Sequence, residues 1–399
     1  MKKILTLLGT FFMVMLLLPT YVWAAESHAS AVQVPVWLCI PFAGLLLCIA
    51  VMPLLRAEWW EAHQPLVVFM WIILLVVPFA IVYGAGDTFE TVLECIVNDY
   101  LTFIVLLFGL FCVSGNITVG GDFAGSPRVN ACLLALGTLL SSCIGTTGAS
   151  MGGCLTPIGD PPLLMGFMRG VPFFWSMHLL PILIFNLVIL LFVFYHLDKK
   201  AYRKDIAEGR KPDISRPGTE IYIEGLHNII LLAAFLSFKT TDSSIRTKNH
   251  FTWGAIKEVA VLFIGIFITM QPALMLLKSV GPNLGISEPY QMFWATGALS
   301  SFLDNTPTYL VFLTTAGTLG LTGGITTALG QIPVNLLEAI SCGAVFMGAN
   351  TYIGNAPNFM VKAISDENGV NMPSFFGYIL WSLAFLVPVF ILDMLVFFL

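Results

Sequence analysis

Apolar segments long enough to cross a lipid bilayer recur along almost the whole chain. A helix needs about 20 residues to span the hydrocarbon core. Ten segments of about that length are predicted to cross the membrane: 36–55, 65–84, 100–118, 129–147, 173–196, 221–238, 258–277, 289–313, 327–346 and 374–398. Hydrophobic residues make up 57% of the 399 residues and charged residues only 10%, whereas a soluble domain carries roughly 25% charged residues. The sequence therefore predicts an all-α polytopic membrane protein with the lipid bilayer as its main partner.

Two shorter apolar segments, 152–168 and 348–364, are rich in Gly, Pro and Asn. Irregular backbone inside a membrane is tolerated only where it is covered by protein or lines a cavity. Both segments are therefore predicted to be broken helices or re-entrant hairpins.

The ends of the chain and its charged loops predict the topology. Lys2 and Lys3 precede an apolar run that ends near Ala24, which is typical of a secretory signal peptide over residues 1–25. An uncleaved first transmembrane helix is the alternative. The loop 197–217 holds seven basic residues and is predicted to be cytoplasmic.

That loop divides the chain into a first membrane repeat, 36–196, and a second, 218–399. These features place a multi-pass protein in the inner, cytoplasmic membrane. The basic residues cluster in loops rather than on one face, so no nucleic-acid partner is expected.

An internal repeat links the two halves. Residues 140–151 (LSSCIGTTGASM) align with residues 299–310 (LSSFLDNTPTYL), with four of twelve positions identical. Residues 153–165 (GCLTPIGDPPLLM) align with residues 348–360 (GANTYIGNAPNFM), with six of thirteen identical. Matching Gly- and Pro-interrupted apolar segments in two halves are the best sequence indication of a transporter's binding site, because they free helix ends and backbone groups for ligands.

The spacing of the two motifs differs between the halves. The first pair is offset by 159 residues and the second by 195, so the second half has 36 additional residues between its motifs. This length corresponds to one helix and a loop, and the first half is predicted to lack that span. One predicted span, 221–238, separates two basic loops, so either that segment is re-entrant or a second crossing is missing near residue 238. Natural reduction and an incomplete chain both remain open.

Acidic residues at the breaks are the first candidates for ion binding. Asp160 and Asp304 each lie where Gly and Pro interrupt an apolar segment. A buried aspartate within a membrane costs about 2.5–3.5 kcal/mol on insertion scales and usually faces a functional cavity. The alternative is a helix cap. With Asn305, these two carboxylates form the candidate Na⁺ site.

Neutral polar residues at equivalent positions complete the candidate set. Their short side chains can coordinate Na⁺ or donate hydrogen bonds to a carboxylate ligand, although small polar residues also serve helix packing. These candidates are Thr146, Thr147, Asn305, Thr306, Asn350, Thr351 and Asn355.

These motifs resemble the ion transporter superfamily, in particular its sodium:proton antiporter-like branch, which is also described as a citrate transporter group. The matching stretches are 142–151, 152–170, 300–311 and 348–359. The resemblance implies inverted repeats with broken helices and hairpins, an elevator-type mechanism, a homodimer, and coupling to Na⁺ or H⁺ without another cofactor. It also implies spans that this chain lacks, after Met151 and before Phe251.

The chain is therefore predicted to be an ion-coupled secondary transporter rather than an enzyme. Acidic residues at both breaks, and the lack of arginine there, favour Na⁺/H⁺ antiport. The alternative is Na⁺- or H⁺-coupled transport of citrate or a dicarboxylate, with half-helix N-termini holding the anion. A channel and a membrane aspartyl protease are weaker hypotheses, and the duplicated polar motifs have no role in such a protease.

Overall fold

The computed structural model describes residues 34–114, 116, 118–120, 126–144, 152–208, 222–224, 241–242, 244, 253–280, 285–352, 354–355, 358, 362, 365 and 372–399. All of them belong to one compact unit, Val34–Leu399. The predicted signal peptide, 1–25, lies outside the described residues.

Helices dominate the part of the unit before the basic loop. They are α1 (Ile40–Leu55), α2 (Ala57–Tyr83), α3 (Ala85–Glu94), α4 (Thr102–Ser114), α5 (Pro127–Ile144), α6 (Pro161–Met168) and α7 (Leu180–Ala207). Short 3₁₀ helices precede three of these, at Val36–Cys39, Gly152–Leu155 and Phe173–Leu179, and a π-helix, Cys95–Leu101, joins α3 to α4. Proline in the first turn of α6 suits a helix start, since its missing N–H has no partner there.

The second part has the same character. Its helices are α8 (Gly254–Thr269), α9 (Gln271–Val280), α10 (Pro289–Ser300), α11 (Asn305–Thr318), α12 (Val334–Met347) and α13 (Phe375–Asp393). A 3₁₀ turn, Gly348–Asn350, follows α12, and a π-helix, Met394–Phe398, follows α13.

Three helical segments among the described residues are long and apolar enough to cross a membrane: Ala62–Tyr83, Phe173–Ala207 and Phe375–Phe398. A fourth span results if α8 and α9 count as one crossing, bent by 42°. The predicted span 289–313 is divided between α10 and α11. Interrupted helices are thus more frequent than hydropathy alone predicts, because hydropathy does not register where a helix breaks.

Besides the helices that make up the predicted all-α fold, the described residues contain four strands of three residues each. β1 (Thr118–Gly120) pairs antiparallel with β2 (Tyr222–Glu224), and β3 (Ile325–Thr327) forms a hairpin with β4 (Gly330–Ile332). The predicted spans 221–238 and 327–346 therefore begin in extended backbone, and most of the first lies outside the described residues. Short apolar runs do not distinguish strand from helix, so the sequence did not predict these strands.

The boundary of the basic loop also differs from the prediction. The loop was expected to begin at residue 197, yet α7 continues to Ala207. Lysine and arginine are good helix formers, so the apolar helix extends into the charged segment without a break.

The helix α12 is buried along most of its length and packs closely against α10. A Cβ atom at Gly343 would lie 2.5 Å from the carbonyl oxygen of Phe293, and one at Gly297 would collide with the side chain of Met347. Small residues at such crossings let helix backbones approach and pack without help from the hydrophobic effect. This pair forms the rigid support for the breaks described next.

Candidate functional site

The structure contains a break at each predicted position within the described residues. In the first half, the chain passes from the 3₁₀ turn Gly152–Leu155 to Asp160, where α6 begins. In the second half, α10 ends at Ser300 and α11 begins at Asn305. After α12, the chain turns again at Gly348–Asn350.

The two halves share one hydrogen-bond pattern at these breaks. In the second half, Thr351 Oγ1 donates to the carbonyl oxygen of Ser301 at 2.5 Å, and the Gly354 N–H donates to Thr351 Oγ1 at 3.0 Å. The first half repeats both bonds at positions that the sequence alignment equates. Thr156 Oγ1 donates to the carbonyl oxygen of Ser142, and the Gly159 N–H donates to Thr156 Oγ1 at 3.0 Å.

A third bond and a close backbone contact follow the same correspondence. Ser301 Oγ donates to the carbonyl oxygen of Met347 at 3.1 Å, and the hydroxyl of its counterpart Ser142 donates to the carbonyl oxygen of Gly152. A Cβ atom at Gly354 would lie 2.6 Å from the carbonyl oxygen of Gly348. The equivalent glycines, 159 and 153, make the same contact. The sequence repeat is therefore also a repeat of local structure.

One contact joins the first half to the second. Asn305 Nδ2, in the first turn of α11, donates to Asp160 Oδ1 at 3.3 Å. Both side chains are buried, and Asp160 is 0% exposed. The first turns of α6 and α11 thus meet, and their N-terminal ends carry the positive partial charge of each helix dipole.

The two candidate aspartates have different local roles. Asp304 caps α11, because its carboxylate accepts a hydrogen bond from the Thr306 N–H at 3.0 Å. Asp160 occupies the cap position of α6 but makes no such bond with its side chain. Its second oxygen, Oδ2, is buried without a hydrogen-bond partner among the described residues. The cap interpretation therefore accounts for Asp304 and leaves the Asp160 carboxylate unexplained.

The asparagines of the last break also carry unused hydrogen-bonding capacity. Asn350 Nδ2 donates to Ser301 Oγ at 2.9 Å, whereas its Oδ1 is buried without a partner within the described part of the chain. Asn355, which aligns with Asp160, is buried, and its Nδ2 likewise has no partner there. Buried polar groups are almost always satisfied, so these two atoms at a helix break require an explanation.

The remaining candidates divide into two groups. Thr306 Oγ1 lies 3.4 Å from Asn305 Oδ1, so it belongs to the cluster around Asp160. Thr146 and Thr147 lie outside the described residues.

Of the three residues of the candidate Na⁺ site, the structure brings Asp160 and Asn305 together, while Asp304 is occupied as a cap. The described residues contain no group of three or more His, Cys, Asp or Glu side chains suited to a metal ion.

Sequence reasoning missed two polar pairs. Arg169, just beyond α6, forms an ion pair with Asp99 of the π-helix at 2.8 Å. Asn186 Nδ2 on α7 donates to both carboxylate oxygens of Asp393, at 2.9 and 3.0 Å. The partners of these pairs are 70 and 207 residues apart, and such pairs leave no local signal in a single sequence.

Comparison with known families identifies the chain. Its sequence matches the family model described as "Putative citrate transport" over residues 31–151, 150–235 and 229–398. The match divides near residues 150 and 230, close to both places where a span is predicted to be missing. A comparison with curated proteins finds no match. The three matched segments cover most of the sequence, and the chain is a multi-pass membrane protein that belongs to this citrate transport family.

Proposed function

We propose that the protein is a secondary transporter that couples the movement of citrate, or a related di- or tricarboxylate, to Na⁺ or H⁺. The observation that carries the proposal is a set of buried polar atoms at the breaks, both donors and acceptors, that have no hydrogen-bond partner among the described residues. Asp160 Oδ2 and Asn350 Oδ1 are acceptors, whereas Asn355 Nδ2 is a donor. Acceptors suit a cation or a proton, and a donor suits a carboxylate.

Asp160 is the best candidate for the coupling ion. Its partner, Asn305, is a neutral amide, and a fully buried carboxylate without a compensating charge is costly. A bound Na⁺ or a proton would remove that cost. The dipole of α6 favours the carboxylate at the same place, since a negative group at a helix N-terminus is stabilised by about 0.3–1 kcal/mol.

The anion would be held by amide donors and helix N-termini. Asn355 offers an unused N–H group, and α6 and α11 meet at their N-terminal ends. Such ends bind carboxylates through free backbone N–H groups without an arginine. The lack of arginine at the breaks, which first favoured a cation as the sole substrate, is therefore compatible with an anionic one.

Family membership favours carboxylate transport over Na⁺/H⁺ antiport. The shared hydrogen bonds of the two halves support an internally repeated transporter. The inverted orientation of these repeats, the elevator-type movement and the homodimer are included in the proposal because the sequence resembles such transporters.

Uptake of labelled citrate into proteoliposomes tests the proposal. An inward Na⁺ gradient or an inwardly acidic pH gradient should drive saturable uptake against the citrate gradient. Asp160→Asn should lower the driven uptake by about 10- to 100-fold, because the coupling carboxylate is lost. The matched variant Asp304→Asn should transport nearly normally, since asparagine caps a helix about as well as aspartate.

Three results would contradict the proposal or part of it. Gradient-driven uptake that Asp160→Asn leaves unchanged would remove Asp160 from coupling. Exchange of Na⁺ for H⁺ in wild-type vesicles, with no movement of citrate under any gradient, would restore antiport as the better hypothesis. Flux that does not saturate, and that shows no citrate counterflow, would indicate a channel instead.

A further inference from the structure

A second polar cavity lies away from the breaks. Its volume is about 200 Å³, and its polar lining consists mainly of Thr91, Glu94, Asn98, Asp99, Arg169 and Gln271. Leucine and methionine side chains of α9 and α11 complete its wall. One water needs only about 10–15 Å³, so this space is large enough for a small solute.

Three irregular backbone segments meet at this cavity. Asp99 lies in the π-helix Cys95–Leu101, Gln271 lies at the 42° bend between α8 and α9, and Arg169 ends α6. π-helical turns are frequent at functional sites. Irregular backbone at membrane depth persists where it lines a cavity. Their convergence is difficult to explain by packing alone.

The cavity contains a partly buried ion pair with spare donor capacity. Arg169 Nη2 lies 2.8 Å from Asp99 Oδ1, with side-chain exposures of 23% and 13%. Arg169 Nε is buried and has no hydrogen-bond partner among the described residues. A guanidinium binds a carboxylate best through two parallel N–H groups. In the present pairing, the Arg169 guanidinium therefore retains N–H groups that can donate to a second carboxylate.

A purely structural role explains less of this arrangement. A cation at the C-terminal end of α6 is favourable for the helix dipole, and the backbone of Arg169 is also anchored, because the Ala328 N–H donates to its carbonyl oxygen at 2.7 Å. Neither fact accounts for the cavity, nor for an aspartate supplied by a distant π-helix.

We propose that this cavity is a second carboxylate-binding site, in which Arg169 exchanges Asp99 for a carboxylate of the substrate while a Na⁺ ion or a proton binds Asp99. The inference rests on the proposed function and deepens it. The cavity's charged side chains are Glu94, which is exposed, Asp99 and Arg169. If the anion bound alone, Asp99 would lose its ion pair with Arg169. If the cation bound alone, it would compete with Arg169 for Asp99.

When anion and cation bind together, Arg169 and Asp99 each keep a partner of opposite charge. The binding of each ion therefore favours the binding of the other. Removing one partner of a buried ion pair is strongly unfavourable, whereas replacing both partners is not.

This cavity is connected to the site at the breaks by two helices, α6 and α11. Asp160 and Arg169 lie at opposite ends of α6, about 14 Å apart along the helix axis. Thr314 of α11 also lines the cavity, nine residues after Asn305.

Citrate binding to purified protein, measured by calorimetry in NaCl and in choline chloride, tests the inference. In the wild type, Na⁺ or a lower pH should raise the affinity for citrate about 5- to 100-fold. Asp99→Asn releases Arg169, so in choline chloride citrate should bind more tightly than to the wild type, and Na⁺ should raise its affinity by a smaller factor. Arg169→Gln should weaken citrate binding about 30-fold or more.

The double variant Asp99→Asn/Arg169→Gln guards against misfolding, since it removes both members of the ion pair and leaves neither charge without its partner. It should fold, yet bind citrate as weakly as Arg169→Gln. Lys204→Gln is the matched control, because it removes an exposed ion pair with Glu208, at 3.8 Å, and should bind citrate like the wild type.

The outcomes separate this inference from the proposed function. A double variant that binds citrate with wild-type affinity and wild-type Na⁺ dependence would overturn the second site alone. Wild-type protein that neither binds nor transports citrate would overturn the proposed function, and this inference with it.

Discussion

The repeated threonine bonds predict a measurable loss of stability when Thr351 is replaced by valine. Valine keeps the branched shape but removes the hydroxyl that donates to Ser301 and accepts from Gly354. Thr351 is 1% exposed, so water cannot easily replace it. Each orphaned backbone group costs about 1–3 kcal/mol, which gives a total of about 2–6 kcal/mol for the two.

The matched control is Thr315→Val in α11. Thr315 is equally buried at 1% exposure, but its hydroxyl donates only to the helix carbonyl of Val311, at 2.9 Å. That carbonyl belongs to the helical hydrogen-bond ladder, so the loss should stay below about 1 kcal/mol. Thr156→Val, in the half-buried counterpart position, should fall between these values.

Denaturant-induced unfolding in mild detergent, followed by tryptophan fluorescence, would measure these differences. A midpoint that shifts while the slope is unchanged reports a change in stability rather than in the unfolded state. Equal stabilities for Thr351→Val and Thr315→Val would refute the idea that these bonds hold the breaks. Each variant's citrate uptake would show whether the same bonds also shape the site.

Three further changes test particular contacts, each by the same unfolding measurement. Asp304→Ala removes a helix cap and should lower the free energy of unfolding by about 0.5–2 kcal/mol. Asp304→Asn should lose little of this stability, because asparagine is a comparable cap. Gly354→Ala should be strongly destabilising, because its Cβ would lie 2.6 Å from a carbonyl oxygen, whereas Gly137→Ala, with open space around it, should gain up to about 1 kcal/mol. Asn186→Leu should cost about 1.5–3 kcal/mol, because Asp393 is 0% exposed and loses its amide donor. A smaller loss in Asn186→Leu/Asp393→Leu than in the single variant would confirm that pairing, and an equal or larger loss would contradict it.

Much of the architecture could be predicted because the membrane imposes strict conditions on a sequence. Helix breaks near Asp160, Ser300 and Gly348 followed from Gly and Pro in apolar segments, and the structure contains all three. The alignment of the two motif pairs was specific enough to equate Thr156 with Thr351, and the structure gives these side chains the same bonds.

Other features depend on contacts that a single sequence does not encode. The Asp160–Asn305 bond joins residues 145 positions apart, and the Arg169–Asp99 pair joins residues 70 apart. Both aspartates at the breaks looked alike in sequence, since Asp-Pro and Asp-Asn-Thr-Pro each suit a helix start. The two differ in whether the carboxylate accepts a hydrogen bond from the first turn of its helix. That of Asp304 does, and that of Asp160 does not.

The shared backbone of the two halves makes their chemical difference informative. At equivalent positions of the repeated motif, the first half has Asp160 and the second half has Asn355. Both are buried, and each keeps one polar atom without a partner among the described residues, an acceptor in the first and a donor in the second. Two aspartates would repel each other and attract cations only, while two asparagines would bind no coupling ion firmly. We infer that one acid and one amide on a repeated backbone suit a transporter whose cargo is an anion accompanied by a cation.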